Sequence, residues 1–117
     1  MREPARDLER LEHIATAIEK VLQYTDGISY EELIDDSMRL HATVYNVQII
    51  GEAIYKLSAE FKENHKETPW RQIEKTRHIL VHDYYQIDNR ILWSIIKDDM
   101  NPLKQQITQY ISEKTKN

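Results

Sequence analysis

The hydrophobic positions of the chain recur at steps of three and four residues, which is the periodicity of amphipathic helices. The first such segment runs from about Pro4 to Tyr24, and the stop signal Asp26-Gly27 follows it. One apolar stripe along this segment comprises Leu8, Leu11, Ala15, Ile18 and Leu22. No stretch of four or more residues alternates between apolar and polar positions as a half-buried strand does. The pattern therefore predicts an all-α chain.

Capping signals divide the next part of the chain. Ser29, with Glu32 three residues later, is typical of a capping box and predicts a short helix. The longest helical pattern follows, from about Ser37 to Asn64, and its apolar positions are Val44, Val47, Ile50, Ile54, Leu57 and Phe61. Gly51 lies in its middle, although a glycine there costs about 1 kcal/mol relative to alanine. We therefore predict that another helix approaches closely at Gly51.

Three further helices are predicted in the second half of the chain. Thr68 is a candidate N-cap with Pro69 in the first helical position, and this helix is expected to continue toward Val81. Asp88 is expected to cap the next helix, and Asn101-Pro102 to restart a last one. Amphipathic helices with short connections predict an antiparallel, up-and-down helical bundle.

Length and composition narrow the picture. The 117 residues fit one domain with one core, and no linker or repeat divides residues 1–117. The chain has no cysteine, which excludes disulfides and thiolate chemistry and is compatible with the cytoplasm. We expect neither a secretory signal nor a membrane span. The net charge of −4 argues against a protein that coats nucleic acid, but it permits a local basic cleft.

The densest functional chemistry lies in residues 77–85, which read Arg-His-Ile-Leu-Val-His-Asp-Tyr-Tyr. The guanidinium of Arg77 is a permanent cation whose planar fork fits phosphate oxygens. His82 can gain or lose a proton near neutral pH, as a general acid or base must. Together they are the minimum for metal-free RNA cleavage. The histidine would take the proton of a 2′-hydroxyl, and the arginine would stabilise charge on the phosphate.

Helix geometry leaves two arrangements open for this pair. Arg77 and His82 are five residues apart and would diverge by about 140° on a regular helix, whereas Arg77 and Tyr84 would share a face. Either the helix is distorted near His82, or the site combines residues of two chains. The simpler alternative is an ordinary polar face, with Arg77 paired to a nearby acid and Tyr84 packed by its ring.

Other residues near this segment are interpreted structurally. His78 and His82 have the i, i+4 spacing of metal ligands, but no third ligand can be placed and Asp83 points elsewhere on a regular helix. We therefore expect neither a metal nor another cofactor. Glu52, beside the predicted helix crossing, could be catalytic, but a charge at such a crossing is more often structural, and we interpret it so. Trp70 and Trp93 are assigned as core anchors. Several tyrosines are assigned to the core or to an interface, and they include Tyr45, Tyr55 and Tyr110.

The spacing Arg77-x4-His82-x-Tyr84 matches the RX4HXY motif of the HepT-like toxins of the HEPN superfamily. The context is similar as well, because Ile49-Ile50-Gly51-Glu52-Ala53 resembles the family's IGEA segment in the long helix. Pro69-Trp70 resembles its proline-tryptophan helix start. The likeness covers nearly the whole chain. His78 departs from the polar residue, often asparagine, that usually follows the arginine.

The resemblance implies a specific activity and specific partners. Such proteins are homodimers whose two motifs meet in a cleft, and they act as metal-independent endoribonucleases in prokaryotic toxin–antitoxin modules. Arg77 and His82 would be catalytic, with His78 and Asp83 as candidate supporting residues. The partner would be a minimal nucleotidyltransferase that can attach AMP to Tyr84 and so block RNA binding. The alternative is a non-catalytic helical subunit that binds this nucleotidyltransferase and is its substrate.

Overall fold

The computed structural model describes residues 6–74, Arg77 and residues 88–116. Every element in these ranges is helical, which confirms the predicted all-α class. The elements are α1 (Asp7–Thr25), α2 (Tyr30–Asp35), α3 (Ser37–Lys56), α4 (Ala59–Glu63), α5 (Trp70–Glu74), α6 (Asn89–Ser94), a π-helical segment (Ile95–Asp99) and α7 (Met100–Thr115). None of the described helices combines the length and hydrophobicity of a membrane span.

The two long helices α1 and α3 pack antiparallel along most of their length. At one end, Asp7 in the first turn of α1 binds Ser58, which follows α3. At the other end, Arg39 in the first turn of α3 donates from Nη1 to the carbonyl of Tyr24 at 2.6 Å. Helix α7 packs against α1 and completes the core. The predicted helical bundle is therefore confirmed.

The core-facing side of α1 differs from the predicted stripe. Its buried apolar residues are Leu11, Ile14, Ala17, Ile18 and Val21. Leu8, Ala15 and Leu22 are only half-buried at the edge of this face. Asp7 and Thr25, two polar residues that the hydrophobic pattern cannot assign, are also buried, at the two ends of this face.

The prediction of one helix from Ser37 to Asn64 was wrong, because the helical conformation is interrupted after α3. Helix α3 ends at Lys56, and Leu57 is extended with φ −61° and ψ 145°. The hydroxyl of Ser58 then caps α4 by accepting the backbone N–H of Phe61 at 3.0 Å. The buried carboxylate of Asp7 accepts both the N–H and the hydroxyl of Ser58, so the break is fixed by a residue 51 positions away.

The C-terminal part corrects a second boundary. Asp88 caps α6 as predicted, accepting the N–H groups of Arg90 and Ile91. The helix does not stop before Pro102, however, because α6, the π-helical segment and α7 follow one another without interruption. In a regular helix the proline ring would clash with the carbonyl four residues earlier, here that of Asp98. That carbonyl lies in the wider π turn, which accommodates the proline without ending the helix.

The loop before α5 is held by a polar and aromatic cluster. The Thr68 hydroxyl, predicted to cap α5, instead bonds Gln106 at 2.9 Å and lies 2.6 Å from the Tyr110 hydroxyl. Trp70 is buried, and its indole N–H donates to the carbonyl of His65 at 2.9 Å. Trp93 is half-buried and packs against the edge of the hydrophobic core. The cluster fixes where α5 begins, and Arg77 follows α5.

Candidate functional site

Arg77 lies against α3 at Gly51, and the absence of a side chain on Gly51 makes that approach possible. A Cβ atom added to Gly51 would lie 3.0 Å from the Cβ of Arg77 and 3.4 Å from its Cα. Contacts this short are rare, so a larger residue at position 51 would push the backbone of Arg77 away. The predicted close approach at Gly51 is confirmed.

Two side chains of α3 hold the guanidinium of Arg77. Its Nε donates to Oε1 of Glu52 at 2.5 Å. Its Cζ lies 4.2 Å from the ring centroid of Tyr55, which is a cation–π contact. Glu52 follows Gly51 directly, and Tyr55 lies one helical turn beyond Gly51. One turn of α3 therefore provides both the space for the Arg77 backbone and the two contacts to its guanidinium.

The electrostatics of the pair keep Arg77 charged. The hydrogen bond to Glu52 raises the pKa of Arg77 above its already high ordinary value, and the negative charge of Glu52 acts in the same direction. The Arg77 side chain is 25% exposed and that of Glu52 is 44% exposed. The cation is therefore fixed in place while solvent, or a ligand, can still reach it.

The ion pair with Glu52 does not involve the terminal nitrogens of Arg77, which are the part of the guanidinium that recognises phosphate. Within the described part of the chain, the acceptor that binds the guanidinium is Glu52, and it uses Nε. The two terminal nitrogens form the fork that binds two oxygens of a phosphate at once. The alternative prediction, that Arg77 pairs with a nearby acid, is thus observed. This pairing does not use the phosphate-binding fork.

Glu52 forms an ion pair with Arg77 across the helix crossing, a contact that the sequence did not predict. It was interpreted as a structural charge, and its partner is 25 residues away in the chain. The available signal was its position beside Gly51, at the predicted helix crossing. A charged residue next to such a crossing can contact the crossing helix, but the pattern does not reveal which residue of that helix it meets.

The other predicted site residues, His78, His82, Asp83 and Tyr84, lie outside the described residues, so their roles stay predictions. Elsewhere, His13 and His41 are exposed and His65 is half-buried. In the described ranges, no group of three histidine or acidic side chains is arranged to hold a metal ion. The structure thus adds Glu52 and Tyr55 to one predicted site residue, Arg77.

Comparison with known proteins places this geometry in a family context. The family model described as "Ribonuclease HepT-like" matches residues 14–110, a range that includes the segment 77–84. A protein named as a candidate RNase of Caldanaerobacter subterraneus is 34% identical over 88% of this chain and 92% of that relative. A protein named probable ribonuclease HepT of Thermococcus cleftensis is 38% identical over 80% of this chain and 86% of its own.

A third relative, named as a candidate RNase of Methanocaldococcus jannaschii, is 34% identical over 74% of this chain and 80% of that protein. No solved structure gives a significant match.

Proposed function

Because the chain belongs to the HepT-like ribonuclease family, we propose that it is a metal-independent endoribonuclease and the toxin of a prokaryotic toxin–antitoxin module. One observation carries this proposal. Arg77 is a charged, partly exposed guanidinium held at Nε by Glu52, and among the described residues no acceptor binds its terminal nitrogens, which can take a phosphate. We place this activity in the cytoplasm, where RNA is abundant.

The chemistry is an internal transfer on the RNA. His82 takes the proton of a 2′-hydroxyl, and the 2′-oxygen then bonds to the adjacent phosphorus. The bond from phosphorus to the 5′-oxygen breaks, and that oxygen takes up a proton from a general acid or water. The products are a 2′,3′-cyclic phosphate and a 5′-hydroxyl end. Arg77 binds the non-bridging oxygens, whose charge grows in the transition state.

Glu52 acts in this scheme as a positioning residue. Its hydrogen bond fixes the plane of the Arg77 guanidinium, and the ring of Tyr55 supports one face of it. A guanidinium with a fixed plane loses less conformational entropy when it binds a phosphate. The attack geometry is therefore prepared before the RNA arrives.

A homodimer would complete the site. On a regular helix Arg77 and His82 point about 140° apart. A second copy can place its own histidine opposite Arg77, so that each of two symmetric half-sites contributes to one cleft.

Regulation would act on Tyr84. A nucleotidyltransferase antitoxin would transfer AMP from ATP to the Tyr84 hydroxyl and release pyrophosphate. Tyr84 is seven residues from Arg77 and shares its helix face on a regular helix. A phosphate attached there would occupy the Arg77 fork and exclude RNA.

The test is cleavage of a labelled RNA by the purified protein in the presence of EDTA. Wild type should release a fragment that ends in a 2′,3′-cyclic phosphate. His82→Ala should be at least about 100-fold slower, because removing a general base typically has this effect. His41→Ala is the matched control, since His41 is exposed on α3 and remote in sequence from the motif. Induced expression without a partner should arrest bacterial growth for wild type and not for His82→Ala.

A second candidate function has some support in the charges. Glu52 already neutralises part of the Arg77 charge, and the whole chain has a net charge of −4. A non-catalytic subunit that binds and is modified by the nucleotidyltransferase would show no cleavage by wild type. It would still gain the mass of one AMP on Tyr84 after co-expression with that partner.

A further inference from the structure

A groove of about 410 Å³ adjoins the Arg77 pair on the outer side of α1 and α3. Arg10 and His13 of α1 line one side, and Tyr45, Gln48, Glu52 and Lys56 of α3 line the other. Glu52 belongs both to this groove and to the pair with Arg77. The groove and the candidate site are therefore continuous.

The lining of the groove is cationic although the whole chain is acidic. Arg10 and Lys56 contribute two positive charges at neutral pH. Glu52 is the one acidic residue among the described residues of the lining, and its carboxylate is already bound to Arg77. A cationic groove beside a phosphate-binding arginine is complementary to a polyanion.

A buried donor in the groove has no acceptor. The Nε atom of Arg10 is buried, and it makes no hydrogen bond within the described part of the molecule. Buried polar groups are nearly always hydrogen-bonded, because an unmade bond costs free energy. This buried Nε cannot itself reach a ligand in the groove, so Arg10 would contact a phosphate through its terminal nitrogens.

An exposed aromatic ring stands at the same groove. Tyr45 is 63% exposed, which is unusual for a residue of this size in a helix that otherwise packs on the core. Tyr45, Glu52 and Lys56 are spaced by seven and four residues, so they share one outward face of α3. Proteins bind single-stranded nucleic acid by combining such rings, on which bases stack, with cations that contact the backbone.

We propose that this groove binds single-stranded RNA next to the scissile phosphate, with a base stacked on Tyr45 and backbone phosphates bound by Arg10 and Lys56. This assignment rests on the proposed ribonuclease function and extends it away from Arg77. It also explains how an acidic protein binds RNA, since the contacts are concentrated in one cationic track.

The test measures RNA binding without cleavage. A fluorescein-labelled single-stranded RNA of about twelve nucleotides, within the usual span of such sites, is titrated with the full-length His82→Ala protein while anisotropy is followed. Arg10→Gln and Tyr45→Ala, each added to that background, should raise Kd about tenfold. Tyr45→Phe keeps the ring and should bind as the background does. Arg10→Gln should also lower the slope of log Kd against log salt by about one.

Lys104→Gln is the matched charge control. Lys104 pairs with Glu19 at 2.8 Å, and Glu19 is nine residues from Arg10 on the opposite face of α1. This variant loses the same charge as Arg10→Gln on the other side of the molecule, so its Kd should change less than about twofold. Circular dichroism and thermal melts establish that each variant is folded.

Three outcomes would overturn the proposal, and they differ in what they leave standing. If wild type cleaves RNA while the groove variants bind RNA as tightly as their His82→Ala parent, the groove proposal fails alone. If Tyr45→Ala or Arg10→Gln changes the molar mass seen by light scattering, the groove is a contact between copies of the chain. If wild type neither binds nor cleaves RNA, the proposed function fails and the groove proposal fails with it.

Discussion

Asp7 and Glu52 are two carboxylates that each bind a residue far away in the chain, yet their surroundings are opposite. Asp7 is 2% exposed, and its two oxygens accept the backbone N–H and the hydroxyl of Ser58 at 2.8 and 2.6 Å. The Glu52 side chain is 44% exposed, and one of its oxygens accepts the Nε of Arg77. The first contact closes a helix junction in the interior, and the second holds a cation at the surface.

The difference separates polar residues that stabilise the fold from those that prepare a site. A buried carboxylate with both oxygens bonded stabilises the native state, because breaking the contact would leave buried groups unsatisfied. A partly exposed ion pair contributes little stability. In the proposed site its role would be to fix Arg77, whose terminal nitrogens are bound by no other described residue. The following changes test this contrast from the largest expected effect to the smallest.

Arg77→Ala should lower kcat/KM for RNA cleavage about 1000-fold, because the charge that forms on the phosphate loses its main stabilising contact. The free energy of unfolding should change little, since the pair is partly exposed. Arg90→Ala is the matched control, because Arg90 likewise lies over a tyrosine ring, 4.0 Å from the centroid of Tyr30. Comparable losses in both variants would contradict the special role of Arg77.

Asp7→Ala should have the reverse effect. We expect it to lower the free energy of unfolding by about 3 kcal/mol, because the N–H and the hydroxyl of Ser58 lose a charged acceptor in the interior. Cleavage per folded molecule should stay near wild type. Urea denaturation followed by circular dichroism measures the first quantity. Glu9→Ala, which removes an exposed carboxylate from the same helix, should change stability by less than about 0.5 kcal/mol.

The same contrast explains which features could be predicted from the sequence. Features that depend on neighbouring residues were predicted correctly, as with the Ser29 capping box, the Asp88 cap and the close approach at Gly51. The break after Lys56 was missed because Asp7, which fixes it, is 51 residues away from Ser58. The pairing of Glu52 with Arg77 was missed for the same reason, since Arg77 lies 25 residues away in the chain. Local sequence patterns predict helix caps and periodicity, but they do not predict which distant segments contact each other.

Tyr110, like Asp7, is a buried polar side chain. Its contribution to stability can be tested through the pH dependence of unfolding. Burial raises the pKa of Tyr110 from 10.0 to about 12. Below pH 10 the phenol is neutral in both states. Between pH 10 and 12 the unfolded chain loses this proton while the folded chain keeps it, so stability falls as the pH rises.

Wild type should therefore lose roughly 2 kcal/mol more than Tyr110→Phe between pH 10 and 12. Chemical denaturation at a series of pH values measures the difference between the two curves. Parallel curves would show that the phenol does not couple to folding.

Glu52→Gln should lower kcat about tenfold. The amide can still accept a hydrogen bond, but it holds the guanidinium less firmly than a carboxylate does. KM should not rise, because a negative charge near the RNA has been removed. Steady-state kinetics separate the two constants, and Glu12→Gln, an exposed acid on α1, serves as the control. A raised KM with unchanged kcat would mean that Glu52 contacts the substrate rather than positioning Arg77.

Gly51→Ala should give the smallest change and the clearest separation of stability from activity. The added methyl group would lie 3.0 Å from the Cβ of Arg77, so the arginine must move by a few tenths of an ångström. Alanine also improves helix propensity by about 1 kcal/mol, which offsets the strain. We expect the free energy of unfolding to stay within about 1 kcal/mol of wild type, while cleavage falls about three- to fivefold because the reacting groups are misplaced. If activity is unchanged, the position of Arg77 tolerates such a shift, and the Gly51 crossing serves packing rather than catalysis.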